Sequence, residues 1–483
     1  MTSFKKSIVV AAFLISATQI AGFSESTHTT KINPALSIMT LKGADTKRKK
    51  NVETLSSVVA PKVKTILRFR GNLSGVKELG GEIGSVIGDI ATVTMPLSAV
   101  HSIAELQNIV YIEAAKRVKP RLNLSTAETQ INQIRSDTAP NLTGATGYGV
   151  VIGIIDTGID LAHLDFKDTT GKTRVLFLWD QAAATGANPS GFTYGNECTK
   201  TMIDLSNCTA PSTKDTAGHG THVAGIAAGN GQATGNGQAA YRFIGMAPHA
   251  DLIIVNTLNA GGQDIDLLNA IAYIQAKAKL LGKPSVINLS LGSHIGAHDG
   301  TSLYEQALNN ASGSGKIIVG AAGNEGDEAA TSIHASGTVS HGKTVDVNID
   351  AWYDMIDIWY AGSDQISVSM RDSSSICNHG PVAPGETKFF ATSCGNITIS
   401  SSDVLTENGD REIQIEFESV STVSNWVISL TGTSIISPGR FDMWSTWESS
   451  IFLDHVDSSM TLIDTATAEK TIAVSAYIVG NII

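Results

Sequence analysis

From about residue 126 onward, short continuous apolar runs alternate with amphipathic stretches. Residues 150–155 form a continuous apolar run, the pattern of a strand buried on both faces, and 252–256, 286–289 and 317–320 repeat that character. Residues 265–281 are predicted as a helix with Ile265, Leu268, Ile271, Ala272 and Ala276 on its inner face. A second helix places Leu303, Ala307, Leu308 and Ala311 together. Buried strands alternating with helices predict an α/β fold, a doubly wound parallel sheet. Functional groups in such sheets collect at the carboxyl ends of strands, where Asp156, Ser290 and Asn324 fall.

The pattern changes on either side. Residues 62–119 read as a compact α/β unit, with strands expected at 65–69, 90–95 and 109–113 and helices at 74–79 and 97–106. Ahead of it, residues 25–61 are polar, carry a basic cluster at 47–50, and read as a leader or linker. From about residue 335 short runs alternate with period two, at 345–349, 355–360, 365–370, 397–400, 412–417 and 426–430. Trp352, Trp359, Trp426, Trp444 and Trp447 gather in the same region. Regularly spaced short strands predict an antiparallel β-sandwich over residues 335–460.

Formal charge is −11 and no basic stripe occurs, which argues against nucleic acid as a partner and reads as solubility. Lys5 and Lys6 precede an apolar stretch at 8–20, and Ala21, Gly22 and Ser24 follow it. That layout is a secretory signal over residues 1–24, so the protein is expected to be secreted. A membrane anchor would need a longer apolar run, and no later segment is apolar for long enough to span a bilayer. The four cysteines fall in two sequence-local pairs. In an exported chain this suggests disulfides Cys198–Cys208 and Cys377–Cys394, with free buried thiols as the alternative. Neither pair has the Cys-x-x-Cys spacing that zinc favours.

The densest chemistry lies in His219-Gly220-Thr221-His222-Val223-Ala224-Gly225, with Asp156-Thr157-Gly158 upstream and Gly323-Asn324 downstream. An Asp closes an apolar strand, a His opens a small-residue helix, and an Asn closes another strand. A serine nucleophile needs an imidazole to take its proton and a buried carboxylate to hold that imidazole in the right tautomer. These motifs resemble the subtilisin-like serine proteases, the subtilase family, over about residues 127–328 and 461–483, and more weakly over the N-terminal unit. The resemblance implies that Asp156 is the orienting carboxylate, His219 the general base and Asn324 the oxyanion donor. It has His222 packing or hydrogen-bonding on the following helix turn. It makes Ser290, Leu291 and Gly292 one edge of a groove for a polypeptide substrate, with Gly292, Ala322 and Gly323 lining the first specificity pocket. Gly261 and Gly262 form the other edge. Spacing of three between His219 and His222, with no nearby Glu, argues against zinc.

The same resemblance implies a domain order. Residues 62–119 would be an inhibitor-like propeptide, the protein's own intramolecular inhibitor. Residues 126–334 would begin a subtilisin-like protease domain, 335–460 would be a jelly-roll-like insertion, and 461–483 would resume the protease domain. The family's nucleophile run, Gly-Thr-Ser-Met-Ala-x-Pro, follows all these segments and does not occur before Ile483. The expectation is a serine endopeptidase truncated ahead of its nucleophile and inactive as it stands. The alternative is a non-catalytic pseudoprotease or a peptide- or glycan-binding protein, the last using Trp352, Trp359 or Trp447.

Two runs imitate other sites. Gly432-Thr433-Ser434 with Pro438 copies the nucleophile motif, but Ser434 follows a strand and precedes residues 461–476, which the family's serine follows. Gly300-Thr301-Ser302 lies ahead of Asn324 and begins a helix. Residues 337–344 match a phosphate-binding P-loop, yet an alternating strand pattern follows where that loop requires a helix. No cofactor is implied; a structural calcium is allowed but assigned to no residues.

Overall fold

The computed structural model describes residues 61–475 except 88, 115–128, 137–138, 236, 259–261, 327–332, 352–353, 406–407, 418–424 and 447–449. The expected signal, nearly all of the leader, Gly261, Trp352, Trp447 and residues 476–483 lie outside the described residues. The chain divides into two compact units, residues 1–119 and 120–483.

In the first unit the strands Lys62–Phe69, Glu82–Ile87, Ile90–Pro96 and Ile109–Ala114 form a four-stranded antiparallel sheet. Their order is second, third, first, fourth. Helices Ser74–Glu78 and Val100–Ala104 supply Val76, Val100 and Ile103 to a core shared with Leu67, Met95 and Ile112. Strand Glu82–Ile87 was not expected. Its Glu-Ile-Gly-Ser run carries little strand preference, and pairing with Ile90–Pro96 decides it.

The second unit is built on a seven-stranded sheet. Its strands are β1 (Val151–Asp156), β2 (Val175–Asp180), β3 (Asn196–Thr199), β4 (Asp251–Asn256), β5 (Ser285–Leu289), β6 (Lys316–Ala321) and β7 (Ile472–Val474). The order is β7-β6-β5-β1-β4-β2-β3, parallel except where β3 pairs antiparallel with β2. Every residue of β1 is buried, as its unbroken apolar run requires. Helices α1 (His219–Ala228), α2 (Asp264–Leu280) and α3 (Leu303–Ala311) join the strands.

The inner faces of α2 and α3 differ from expectation. Leu267, Ala270, Ile271, Tyr273, Ile274 and Ala278 are the buried residues of α2, whereas Ile265 is 59 % exposed and Ala272 and Ala276 also face water. The helix carries two apolar stripes, and the one containing Tyr273 wins. That ring packs on buried Trp179, and its hydroxyl donates to Glu197 at 2.8 Å. In α3, Tyr304 and Leu308 turn inward and Leu303 is 73 % exposed. Ser302 and Glu305 form a capping box there, which sets the helix one residue round from the apolar reading. Gly153 lets α2 approach β1: a Cβ at 153 would meet Ile274 at 2.8 Å.

Between β6 and β7 the chain leaves the parallel sheet. Among the described residues, eleven strands from His334–Thr338 to Ile451–Phe452 make a six-stranded and a five-stranded antiparallel sheet. Ile349, Ile358, Val368, Ile399, Ile415, Trp426 and Phe441 share one core between them. Strand Gln365–Asp372 buries every second residue, the signature that made it legible. His334–Thr338, Asn378–Val382, Thr387–Thr392 and Arg440–Ser445 lack a clean alternation and went unread. Trp359 is half-buried, its indole N–H donating to Asp357 at 2.9 Å.

Two disulfides are present, Cys198–Cys208 and Cys377–Cys394. Non-reducing peptide mapping is expected to recover these two pairs; a crossed pair such as Cys198–Cys377 would contradict the fold. Gly153→Val is expected to over-pack β1 against Ile274 and lower stability by about 1–3 kcal/mol, read from denaturant unfolding.

Candidate active site

β1 ends in Asp156, whose side chain is 0 % exposed. Its carboxylate accepts the Thr157 N–H at 2.7 Å. The Nδ1 of His219 lies 2.7 Å from one carboxylate oxygen and 2.9 Å from the other. A carboxylate only accepts hydrogen bonds, so Nδ1 is the donor and Nε2 is the ring nitrogen left to face a reacting group. The imidazole is 52 % exposed, so the basic nitrogen is accessible from solvent. A protected carboxylate and an accessible imidazole are the arrangement for general-base chemistry.

Two glycines allow this approach. Gly218 precedes α1 with φ of 78°, a conformation unfavourable for other residues. A Cβ at Gly220 would lie 2.3 Å from the Gly158 carbonyl, so only glycine lets the start of α1 press against the end of β1.

A second carboxylate, not singled out from the sequence, ties the two elements together. Buried Asp215 accepts the Thr157 hydroxyl at 2.8 Å, the Gly218 N–H at 3.1 Å, and both the N–H and hydroxyl of Thr221 at 2.8 and 2.5 Å. Thr157 in turn accepts the Gly220 N–H at 2.9 Å, and Thr221 accepts the Asp160 N–H at 2.9 Å. Burial pushes the Asp215 carboxyl up, but these hydrogen bonds, led by the Thr221 hydroxyl, outweigh it and hold it below its ordinary value. The signal was an Asp four residues ahead of His219, where a carboxylate can cap a helix N-terminus.

The His222 side chain is exposed rather than packed, and its backbone N–H donates to the Gly218 carbonyl at 3.1 Å. Gly220, Ala224 and Ala228 take the inner face of α1, and a residue three beyond His219 stays on the outer one.

Asn324 lies just past β6, exposed, after Gly323 with φ of 98°. Its N–H donates to the Glu325 carboxylate at 2.6 Å, and that buried carboxylate lies 3.2 Å from Nε2 of buried His294. Burial pushes the His294 imidazole down, more strongly than Glu325 pulls it up.

Ser290, Leu291 and Gly292 continue from β5, and Ala322 and Gly323 continue from β6 beside it. Gly262, with φ of 63°, lies beyond β4 on the opposite side of β1. Asp156 therefore ends a strand between those that lead to the two groove edges read from sequence. Asp464, beside Gly292, accepts the Ser293 N–H at 3.0 Å, and burial pushes its carboxyl up to about 7.

Ser434 closes strand Asn425–Ser434, paired with Gln365 in the five-stranded sheet. Residues 337–344 run between strands His334–Thr338 and Thr344–Asp350, with no helix to receive a phosphate.

Residues 147–438, more than half of the chain, match the model of the subtilase family. The chain belongs to the subtilase family. It is similar to a subtilisin of Bacillus sp. (strain TA39), 33 % identical over 182 residues, 37 % of this chain and 35 % of that one. Subtilisin BL of Lederbergia lenta is 31 % identical over 198 residues, 41 % of this chain and 55 % of the relative. The major intracellular serine protease of Bacillus subtilis (strain 168) is 33 % identical over 187 residues, 38 % and 46 % respectively. The matches thus span between about a third and somewhat over half of these relatives. Among solved structures, the Clostridium perfringens CspB protease aligns with a TM-score of 0.57 and 27 % identity, covering 69 % of each chain. The parallel sheet of this subtilase is therefore of the subtilisin type.

The Asp215 frame has a pH signature. A carboxyl lowered in the folded state contributes stability above its ordinary value of 3.8 and loses it as pH falls through the folded value. Asp215→Asn is expected to melt several degrees lower at neutral pH, and the gap to the unaltered protein should close as pH drops below 3.8. A gap independent of pH would contradict the frame.

Proposed function

We propose that the chain is the precursor of a secreted subtilisin-type serine endopeptidase. The observation that carries this reading is the bond between the fully buried Asp156 carboxylate and Nδ1 of half-exposed His219, at the carboxyl end of the central parallel strand. Asp156 holds the imidazole and stabilises the positive charge it acquires. His219 Nε2 takes the proton of a serine hydroxyl and returns it to the leaving amine. Asn324 donates its amide to the oxyanion of the tetrahedral intermediate. The substrate lies extended between Ser290–Leu291–Gly292 and Gly261–Gly262 and pairs with them as an added strand. Residues 62–119 serve as the inhibitory propeptide, residues 335–460 as an inserted sandwich, and 461–483 as the resumed protease domain.

Ser434 is not the nucleophile in this scheme. A reacting serine must come within about 3 Å of His219 and the oxyanion donor, whereas Ser434 is held in a sheet ladder. A fluorophosphonate is expected not to label Ser434 in the 483-residue chain. Joining a subtilase segment that carries the serine motif after Ile483 should create labelling at the new serine, and His219→Ala should abolish it. In that extended protein Asn324→Ala is expected to lower turnover by about 10²–10³. Stoichiometric labelling of Ser434 would overturn the scheme.

A further inference from the structure

Gly292 and Gly323 face each other from the ends of neighbouring strands, and glycines at such positions leave room for a ligand side chain. Here that room is taken. A Cβ at Gly292 would lie 2.6 Å from Cδ1 and 3.0 Å from Cγ1 of Ile463, and one at Gly323 would lie 3.3 Å from Cγ2 of the same residue. The same two positions would also meet Asp464 Oδ1 at 2.8 Å and Glu325 Oε2 at 2.6 Å, so Ile463, only 7 % exposed, shares both glycine walls with two carboxylates.

The segment bearing Ile463 is fastened along its length. The Trp444 indole donates to the Met460 carbonyl at 2.9 Å, and Nδ1 of His298 donates to the Leu462 carbonyl at 2.6 Å. The Ile463 N–H reaches the Ala322 carbonyl at 3.3 Å, and the Asp464 N–H reaches the Ser293 carbonyl at 3.0 Å. The Thr465 hydroxyl bonds the Leu291 carbonyl at 3.2 Å. These bonds tie residues 460–465 to the segments that follow β5 and β6 and to strand Arg440–Ser445. A β-branched side chain has few alternative rotamers. The hydrogen bonds fix the Ile463 backbone in place against the glycines.

We infer that Ile463 is the floor of the first specificity pocket and makes it shallow, so that the residue on the acyl side of the scissile bond must be small, glycine, alanine or serine. This rests on the groove proposed above and adds the substrate class to it. A phenylalanine or leucine there would have to displace Ile463 or over-pack against it. No serine is needed to read the effect, because a cleaved peptide ending in a free carboxylate places its last side chain in the same pocket.

The test uses the full 483-residue chain and two peptides, acetyl-Ala-Ala-Pro-Ala and acetyl-Ala-Ala-Pro-Phe, with free C-terminal carboxylates, titrated by calorimetry. The alanine-ended peptide is expected to bind about tenfold or more tightly than the phenylalanine-ended one. Ile463→Gly should bring the phenylalanine peptide level with or above the alanine peptide, and Ile463→Ala should fall between, with melting curves showing that each variant is folded. Equal binding of both peptides to the unaltered chain overturns the inference and leaves the groove standing. So does a preference that neither folded variant changes. If neither peptide binds any of the three proteins, the groove itself is wrong and the pocket falls with it.

Discussion

The Asp156 carboxylate sits at the end of the central strand with no solvent exposure, and a buried charge is tolerated only when it is paired and hydrogen-bonded. Its partners, the Thr157 N–H and the His219 imidazole, come from the residue that follows β1 and from the first residue of α1. The helix must therefore begin at one height and one distance from the strand. Gly218, Gly220 and the Asp215 frame all serve that requirement. Asp215 bonds the residue after Asp156 and the residue two beyond His219 with one carboxylate. An error of an ångström in either element would be felt by both.

The parallel sheet extends this constraint to the proposed groove. β5 runs beside β1 and β6 beside β5, all three in parallel, so the segments after β5 and β6 reach the same edge of the sheet as Asp156. The antiparallel sandwich then takes part in shaping that edge. Gly296 donates to buried Asp357 at 2.7 Å, and the His298 ring stacks on Trp444 at 4.2 Å between centroids. Residues following β5 are thus braced by strands that lie, in sequence, after β6.

Much of this was legible beforehand where a local rule spoke clearly. Apolar runs marked β1 and β4, which are buried on both faces and have no polar side to show. They also marked β5 and β6, although β6 is exposed at Lys316 and Ile317 instead of buried on both faces. Period-two runs marked Gln365–Asp372 and Asp410–Phe417. Where two local readings competed, packing decided. Both stripes of α2 are apolar, and only Trp179 and Glu197, brought in from β2 and β3, select the one with Tyr273. Strand Arg440–Ser445 alternates over only four residues before Trp444 breaks the pattern, and its pairing with His334–Thr338 and Met355–Ala361 decides it.

By itself the sequence placed the candidate site residues, an Asp at a strand end, a His at a helix start and an Asn after a later strand, together with family and sheet type. Those are local statements about residue type and spacing, which a one-dimensional pattern can carry. Only the tertiary structure brought Asp215 onto Thr157 and Thr221, or placed Ile463 against Gly292 and Gly323. Gly292 and Ile463 are separated in the chain by β6 and the whole sandwich. Their contact follows from the return of the chain to β7, and no local propensity encodes a distance across so many residues.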